Sequence, residues 1–191
     1  MKLYQYSTDE KLWNDFRSGI KEAYEYIYRS YVEVLYNYGF KICQDETLTK
    51  DAIQELFLTL LTKYDKINPT QAVKLYLFKS LRLEIFKKWK TAQRFTEVDV
   101  ENAAFDIEYS AEDKMMEDEI TLIRIRELNH LVEGLPKRQK ECIYLRFYEG
   151  MSYREISEIM GIEVSSTYKM LYKAIEHLYQ QLSVRNGHLF L

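Results

Sequence analysis

The sequence predicts an all-α protein of two helical domains joined by a flexible acidic linker, the second domain a helix-turn-helix. Three observations predict it. Seventeen tyrosines stand against only two prolines and six glycines in 191 residues, a mix that favours packed helices over turn-rich sheets. Apolar residues recur at i, i+3, i+4 and i+7 along several long stretches. Between Leu135 and Leu182, residues that start and stop helices follow one another at short intervals. A chain of this length holds one large or two small domains, and either buries a real core.

Taken in order, Ser7 with Glu10 forms a capping box that opens a short helix through Phe16, ended by Ser18-Gly19, a lid or brace. From Ile20 the stripe Tyr24, Ile27, Tyr28, Tyr31, Leu35, Tyr38 and Ile42 keeps helical spacing for about six turns. A third helix begins near Thr49, with Ile53, Leu56, Phe57, Leu60, Leu61 and Tyr64 on its apolar face and Asp51, Gln54 and Glu55 opposite. Asn68-Pro69 breaks the pattern, and a fourth helix runs from about Gln71 to Lys90 on Val73, Leu77, Leu81 and Ile85. That fourth helix is basic. Lys79, Arg82, Lys87 and Lys88 alternate with Tyr76, Phe78, Phe86 and Trp89, so cations for phosphates lie beside rings that can stack on unpaired bases. The bland alternative makes these rings core, and at least half of Tyr76, Phe78 and Phe86 are expected to be so.

Charge segregates after Thr91. Residues 91–120 carry ten acids against Arg94 and Lys114, about −8, so the flanking segments sum to about +5 within the net −3. With few apolar residues between Val98 and Tyr109, residues 92–110 read as the linker, separating a domain over 1–91 from one over 111–185 with a tail at 186–191. In the rear domain, Met115, Met116, Ile120, Ile123, Ile125 and Leu128 can pack a helix onto three more. Pro136 suits a first helical position and Gly150 the position past a helix end, which gives one helix over Lys137–Glu149. Ser152 and Glu155 form a second capping box, opening a helix that ends at Gly161. A long helix follows on Val164, Thr167, Leu171, Ala174 and Leu178, widened by Ile175 and Leu182. Its outward residues are Ser165, Ser166, Lys169 and Lys173, with Tyr168, Met170 and Tyr172 at the edges. This is the pattern of a DNA-binding helix-turn-helix. Periodicity alone leaves a plain helical hairpin about as good.

Much chemistry is missing from the sequence. His130, His177 and His188 and the lone Cys43 and Cys142 sit in no metal-ligand spacing, and the thiols read as reduced core residues. No phosphate-cradling or nucleophile-elbow motif occurs, so neither an enzyme nor a metal or other cofactor is expected. No apolar run is long enough to span a bilayer and the N-terminus has no signal-like core, so the chain is expected in the cytoplasm, away from membranes.

Several stretches together resemble an RNA polymerase sigma factor of the extracytoplasmic-function (ECF) group. Asp51-Ala52-Ile53-Gln54-Glu55-Leu56-Phe57 is similar to the family's D-x-V-Q-E-x-F, and Tyr76-Leu77-Phe78-Lys79-Ser80-Leu81-Arg82 to its Y-L-Y-K-S-V-R. Leu135-Pro136-Lys137-Arg138-Gln139, Gly150-Met151-Ser152-Tyr153-Arg154-Glu155-Ile156 and Met160-Gly161-Ile162 are similar to L-P-x-R-Q, G-x-S-Y-x-E-I and L-G-I. Each fragment is weak; together, in the family's order and spacing, they are strong.

The resemblance implies core RNA polymerase and promoter DNA as partners, with an anti-sigma protein as the usual family partner. It implies that Asp51, Gln54 and Glu55 dock on the polymerase clamp. It assigns promoter melting and single-strand binding to Asn68, Tyr76, Lys79, Arg82, Phe86, Lys87, Lys88 and Trp89, with a base-capturing pocket at the loop Ile67–Ala72. It assigns the upstream (minus-thirty-five) element to Arg154, Ser165, Ser166, Tyr168, Lys169 and Lys173, and a route toward the polymerase active site to the acidic linker. The chain also departs from the family. Leu83 follows Arg82 where an Asn is usual, Tyr168, Met170 and Ile175 replace basic residues, and Glu163 replaces a capping Ser. Fewer cations predict weak autonomous duplex binding. Help would then come from polymerase contacts or from a DNA-bound recruiting protein, RNA-guided ones included. The competing readings are a stand-alone helix-turn-helix regulator and a helical protein-protein adaptor.

Overall fold

The structure, a computed structural model, describes residues 6–91, 105 and 130–187. Except for Phe105, the expected linker lies outside these residues, as does most of the helix expected from Ala111. All described secondary structure is helical, and the chain divides into two compact units, Met1–Val100 and Glu101–Leu191.

In the first unit α1 spans Asp9–Arg17. Its cap is Thr8, whose hydroxyl accepts from the Lys11 amide at 3.2 Å, so the Ser7–Glu10 box is displaced by one residue. Asp9 and Glu10 instead fill the first turn, where negative charge meets the positive end of the helix dipole. α2 runs over Lys21–Cys43 and ends on Gln44 in the left-handed region at φ 52°. Asp45 then caps α3, Glu46–Lys63, accepting from Leu48 N–H at 2.9 Å; the helix therefore starts three residues before the expected Thr49. α4 occupies Val73–Thr91.

Helices α2, α3 and α4 pack on one another, and α1 lies against α2 and α4. The core takes Ile27, Leu35 and Tyr38 from α2, Leu60 from α3 and Leu77, Phe78, Leu81 and Ile85 from α4, all fully buried. Each such aliphatic or phenyl side chain contributes about 1.5–3 kcal/mol relative to exposure. Tyr38 stacks on Phe78 with ring centroids 4.8 Å apart. The three helices come close together at Gly39, where a Cβ would stand 3.1 Å from Thr49 Cγ2 and 3.4 Å from both Ile85 Cδ1 and Leu81 Cδ2. The expected stripes are too wide: Leu61 on α3, Tyr64 just past its end and Tyr28 on α2 are exposed, because the apolar surface runs beyond the face that the neighbouring helices cover.

The second unit contains α5 (Lys137–Ile143), a π-helical turn (Tyr144–Tyr148), α6 (Tyr153–Met160) and α7 (Val164–Gly187). Pro136 is the cap of α5, with extended backbone, and not its first helical residue. Nor does the α-helix continue to Glu149. The Glu149 amide reaches back five residues to the Tyr144 carbonyl, 3.2 Å, and the stacked rings of Tyr144 and Tyr148 line the turn. The Ser152–Glu155 box forms as expected: Ser152 N–H donates to Glu155 Oε2 at 2.8 Å, and Glu155 N–H to Ser152 Oγ at 3.3 Å. Gly150 and Gly161 both adopt the positive φ that ends a helix without side-chain strain.

α7 packs on α5 and α6 through Thr167, Leu171 and Ala174. Val164, Ile175 and Leu182 are exposed and Leu178 is half-buried, so the buried stripe is narrower than predicted. Phe105 is buried against Tyr144. Neither cysteine is in a disulfide, and Cys142 is buried and Cys43 half-buried; burial pushes the Cys43 thiol up, opposed by its contact with Thr49.

Candidate docking and nucleic-acid faces

The polar residues singled out on α3 straddle a ridge. Asp51 and Gln54 are exposed, and Gln54 lines an open groove of about 810 Å³ between α2 and α3. Its walls are largely apolar, among them Tyr24, Tyr28, Ile53, Phe57, Leu58 and Leu61. Tyr28 meets Phe57 edge-on at 4.9 Å, and the Tyr24 hydroxyl donates to the Phe57 carbonyl. Glu55 stands about 100° further round the helix and faces a different site. It is half-buried and lines a shallow site with Glu84, Lys87, Lys88 and Thr91 of α4. Gln54 and Glu55 thus sit on different flanks of one helix, with Asp51 between them. The groove went unread in the sequence, although α3 carried its signal: Leu56, Phe57, Leu58, Leu60 and Leu61 are more apolar residues than one core face uses.

Along α4 and the loop before it the predicted melting residues fall into different settings. Asn68, Lys79 and Lys87 are exposed, while Tyr76, Arg82 and Lys88 are half-buried. Phe86 and Trp89 are buried, which corrects their expected role as exposed stacking platforms. Core packing and base stacking share the same helical spacing, and here packing takes both rings: Phe86 meets Trp89 at 5.4 Å and the Arg82 guanidinium lies 4.4 Å above the Phe86 ring. Phe78 is core as well. Lys87 pairs with Glu84 at 3.1 Å, an exposed contact of little energetic weight. Leu83, at the position where the family pattern has Asn, is exposed on the same helix.

The loop before α4 is held by α1. The Asp9 carboxylate accepts from Val73 N–H at 2.9 Å, the Trp13 indole donates to the Asn68 carbonyl at 2.9 Å, and Arg17 Nε donates to the Ile67 carbonyl at 2.7 Å. Trp13 is fully buried, and its ring meets Tyr76 at 4.8 Å. Burial pushes the Tyr76 phenol up, opposed by a hydrogen bond to Ser80. These three α1 residues were missed in the sequence, where only the i, i+4, i+8 spacing of a carboxylate, an indole and a guanidinium marked them.

On α7, Ser165, Lys169 and Lys173 are exposed and Ser166 is half-buried, with Arg154 exposed on α6. Glu163 is exposed just before the helix, and its carbonyl accepts from Ser166 and Thr167. Tyr168, although half-exposed, is not a loose edge. Its ring stacks on Tyr153 at 4.0 Å and 15°, and the Arg146 guanidinium sits 5.1 Å from the Tyr153 ring. Among the described residues no group of three His, Cys, Asp or Glu could hold a metal, and no helix is long and apolar enough to cross a membrane.

Comparison with known proteins places two family models on the chain: Sigma-70 region 2 matches residues 27–95, and Sigma-70, region 4 matches residues 125–178. The ECF RNA polymerase sigma factor SigX of Bacillus subtilis (strain 168) is 22% identical over 172 residues, covering 85% of this chain and 89% of SigX. CnrH, solved in complex with the cytosolic domain of CnrY, aligns at a TM-score of 0.59 and 16% identity, over 92% of this chain and 97% of that one. The sigma factor RpoE, solved with the anti-sigma factor NepR from Bartonella quintana, gives 0.59 and 18% over 84% and 97%. Helix α1 precedes the region 2 match.

Proposed function

Since the chain belongs to the sigma-70 family of RNA polymerase sigma factors, in its ECF group, we propose that the first unit docks on core polymerase and captures unpaired promoter bases, while the second addresses the upstream element. Polymerase binding and promoter-directed initiation, without enzymatic activity, come with the family. The observation that supports the docking role best is the α3 ridge. Asp51 and Gln54 are exposed there, with Gln54 at an open apolar groove, and apolar area with a polar border is what a protein helix needs to bind.

The test is Asp51→Lys combined with Gln54→Lys, leaving the half-buried Glu55 alone. Binding to core polymerase is expected to weaken at least about tenfold, or about 1.4 kcal/mol, with unchanged helical circular dichroism. Full-strength binding by the folded double variant would remove the docking assignment. Melting is assigned to the loop 67–72 with Asn68, Tyr76, Lys79, Arg82, Lys87 and Lys88, and the domain limits of 1–91 and 111–185 follow this division of labour.

For the upstream element, Arg154, Ser165, Ser166, Tyr168, Lys169 and Lys173 form the reading surface. Only three of these are cationic, and Glu163 places a carboxylate near any phosphate at the helix start. Autonomous binding is therefore weak, and delivery falls to polymerase contacts or to a DNA-bound recruiting protein, of the RNA-guided kind among others. Tight, specific binding of the full chain to its upstream element at physiological salt, without polymerase, would refute this. By analogy with RpoE, an anti-sigma protein is a further partner.

A further inference from the structure

We infer that α1 is a clip that fixes the backbone of the base-capturing loop, which makes Asp9, Trp13 and Arg17 positioning residues for promoter opening. The inference rests on the melting role proposed above for residues 67–72. The three side chains lie at i, i+4 and i+8, one face of one helix, and each reaches main chain. Arg17 and Trp13 hold the carbonyls of Ile67 and Asn68 at the start of the loop, and Asp9 holds the Val73 amide at its end. Val73 N–H opens α4 and belongs to the first turn, whose donors have no partner within their own helix; the Asp9 carboxylate supplies one from outside.

Between these anchors the loop presents its side chains outward. Asn68, Pro69 and Gln71 are exposed, and only Ile67 is sunk into the unit. Thr70 Oγ1 accepts from Ala72 N–H at 3.1 Å, a local turn that the end anchors frame. A loop that must grip an unpaired base loses affinity to the entropy of ordering itself, and one ordered beforehand does not. The clip thus acts on opening while leaving the α3 docking ridge untouched. Trp13 has a second grip, since its ring packs on Tyr76 in the first turns of α4.

The experiment uses full-length holoenzyme on a promoter mapped with the wild-type protein. Trp13→Phe with Arg17→Met removes both N–H donors while keeping much of their bulk, and Asp9→Ala removes the third anchor from a less buried position. Core polymerase affinity is expected to stay within about twofold. Permanganate reactivity of unpaired thymines should appear at least about tenfold more slowly for the double variant, and more slowly in the same direction for Asp9→Ala. A template with a pre-melted bubble should restore transcription to near the wild-type rate. Opening at the wild-type rate on duplex DNA would overturn the clip, and so would a defect of equal size on duplex and bubble. If the double variant loses polymerase binding through misfolding, Asp9→Ala decides by the same two outcomes. Wild-type holoenzyme that unpairs no thymine would remove the role of the loop and the clip with it, a failure recognisable because it needs no substitution.

Discussion

Replacing Tyr168 by Arg sets two magnitudes against each other on α7, the helix proposed above to read the upstream element. Each phosphate neutralised adds about −0.9 to the slope of log affinity against log salt. One added contact, carried from a reference near 1 M down to about 0.15 M, raises affinity roughly fivefold, or about 1 kcal/mol. The same substitution breaks the near-parallel Tyr153–Tyr168 stack, centroids 4.0 Å apart, and a stacked aromatic pair is worth about 0.5–1.5 kcal/mol. The two effects act on different equilibria. The stack exists in the protein without DNA, so its loss is charged to folding, while the new cation is charged to binding. Tyr168→Arg should therefore bind a labelled upstream-element duplex several-fold more tightly and with a steeper salt dependence, yet unfold at a lower temperature. Tyr168→Phe keeps the stack and adds no charge, and should leave the slope and the unfolding temperature near the wild-type values. Fluorescence anisotropy of the full chain from about 50 to 300 mM salt reads affinity and slope. An unchanged slope for Tyr168→Arg would show that this turn of α7 does not face phosphates.

Two further outcomes test the first unit. Gly39→Val should lower its unfolding free energy by about 1–3 kcal/mol in urea titration, because the new side chain meets Thr49, Leu81 and Ile85. Gly39→Ala should fall closer to balance, since about 1 kcal/mol of helix propensity offsets the tighter contact; equal stability of the valine variant would show that the three helices can part. The Tyr31 phenol is pushed from its ordinary 10.0 up to about 12, first by burial and then by Asp9 and Tyr26. Its neutral form is the one the fold favours, so its contribution is complete below pH 10 and drains away between pH 10 and about 12. Tyr31→Phe should flatten the alkaline fall of stability in that window, and an unchanged alkaline profile would place the effect elsewhere.

Punctuation was the most legible part of the sequence. The Ser152–Glu155 box and the glycines at 150 and 161 form as read, because a reciprocal cap and a positive φ each depend on a few adjacent residues. Where several candidate caps stand side by side, the local sequence does not choose between them. Ser7, Thr8 and Asp9 can all cap, and the choice of Thr8 depends on where the chain leaves extended backbone, which α1's packing on α2 and α4 decides. Aromatics on α4 were ambiguous for a different reason. A ring at helical spacing looks the same whether it meets a base or a neighbouring helix, and Phe86 and Trp89 met protein. The α1 bonds were least legible of all, since they join side chains to carbonyls and an amide at separations of 50 to 64 residues, and a main-chain partner leaves no mark in side-chain patterns.

That choice of partner has an evolutionary consequence. Because the grip is on peptide groups, it is indifferent to which side chains residues 68–72 carry, provided the turn itself is kept. The loop is then a replaceable cassette on a constant frame. Under the base-capturing role proposed for it, mutations there can explore new base preferences without reopening the packing that supports them, and an engineer could graft another loop of equal length between the same two anchors.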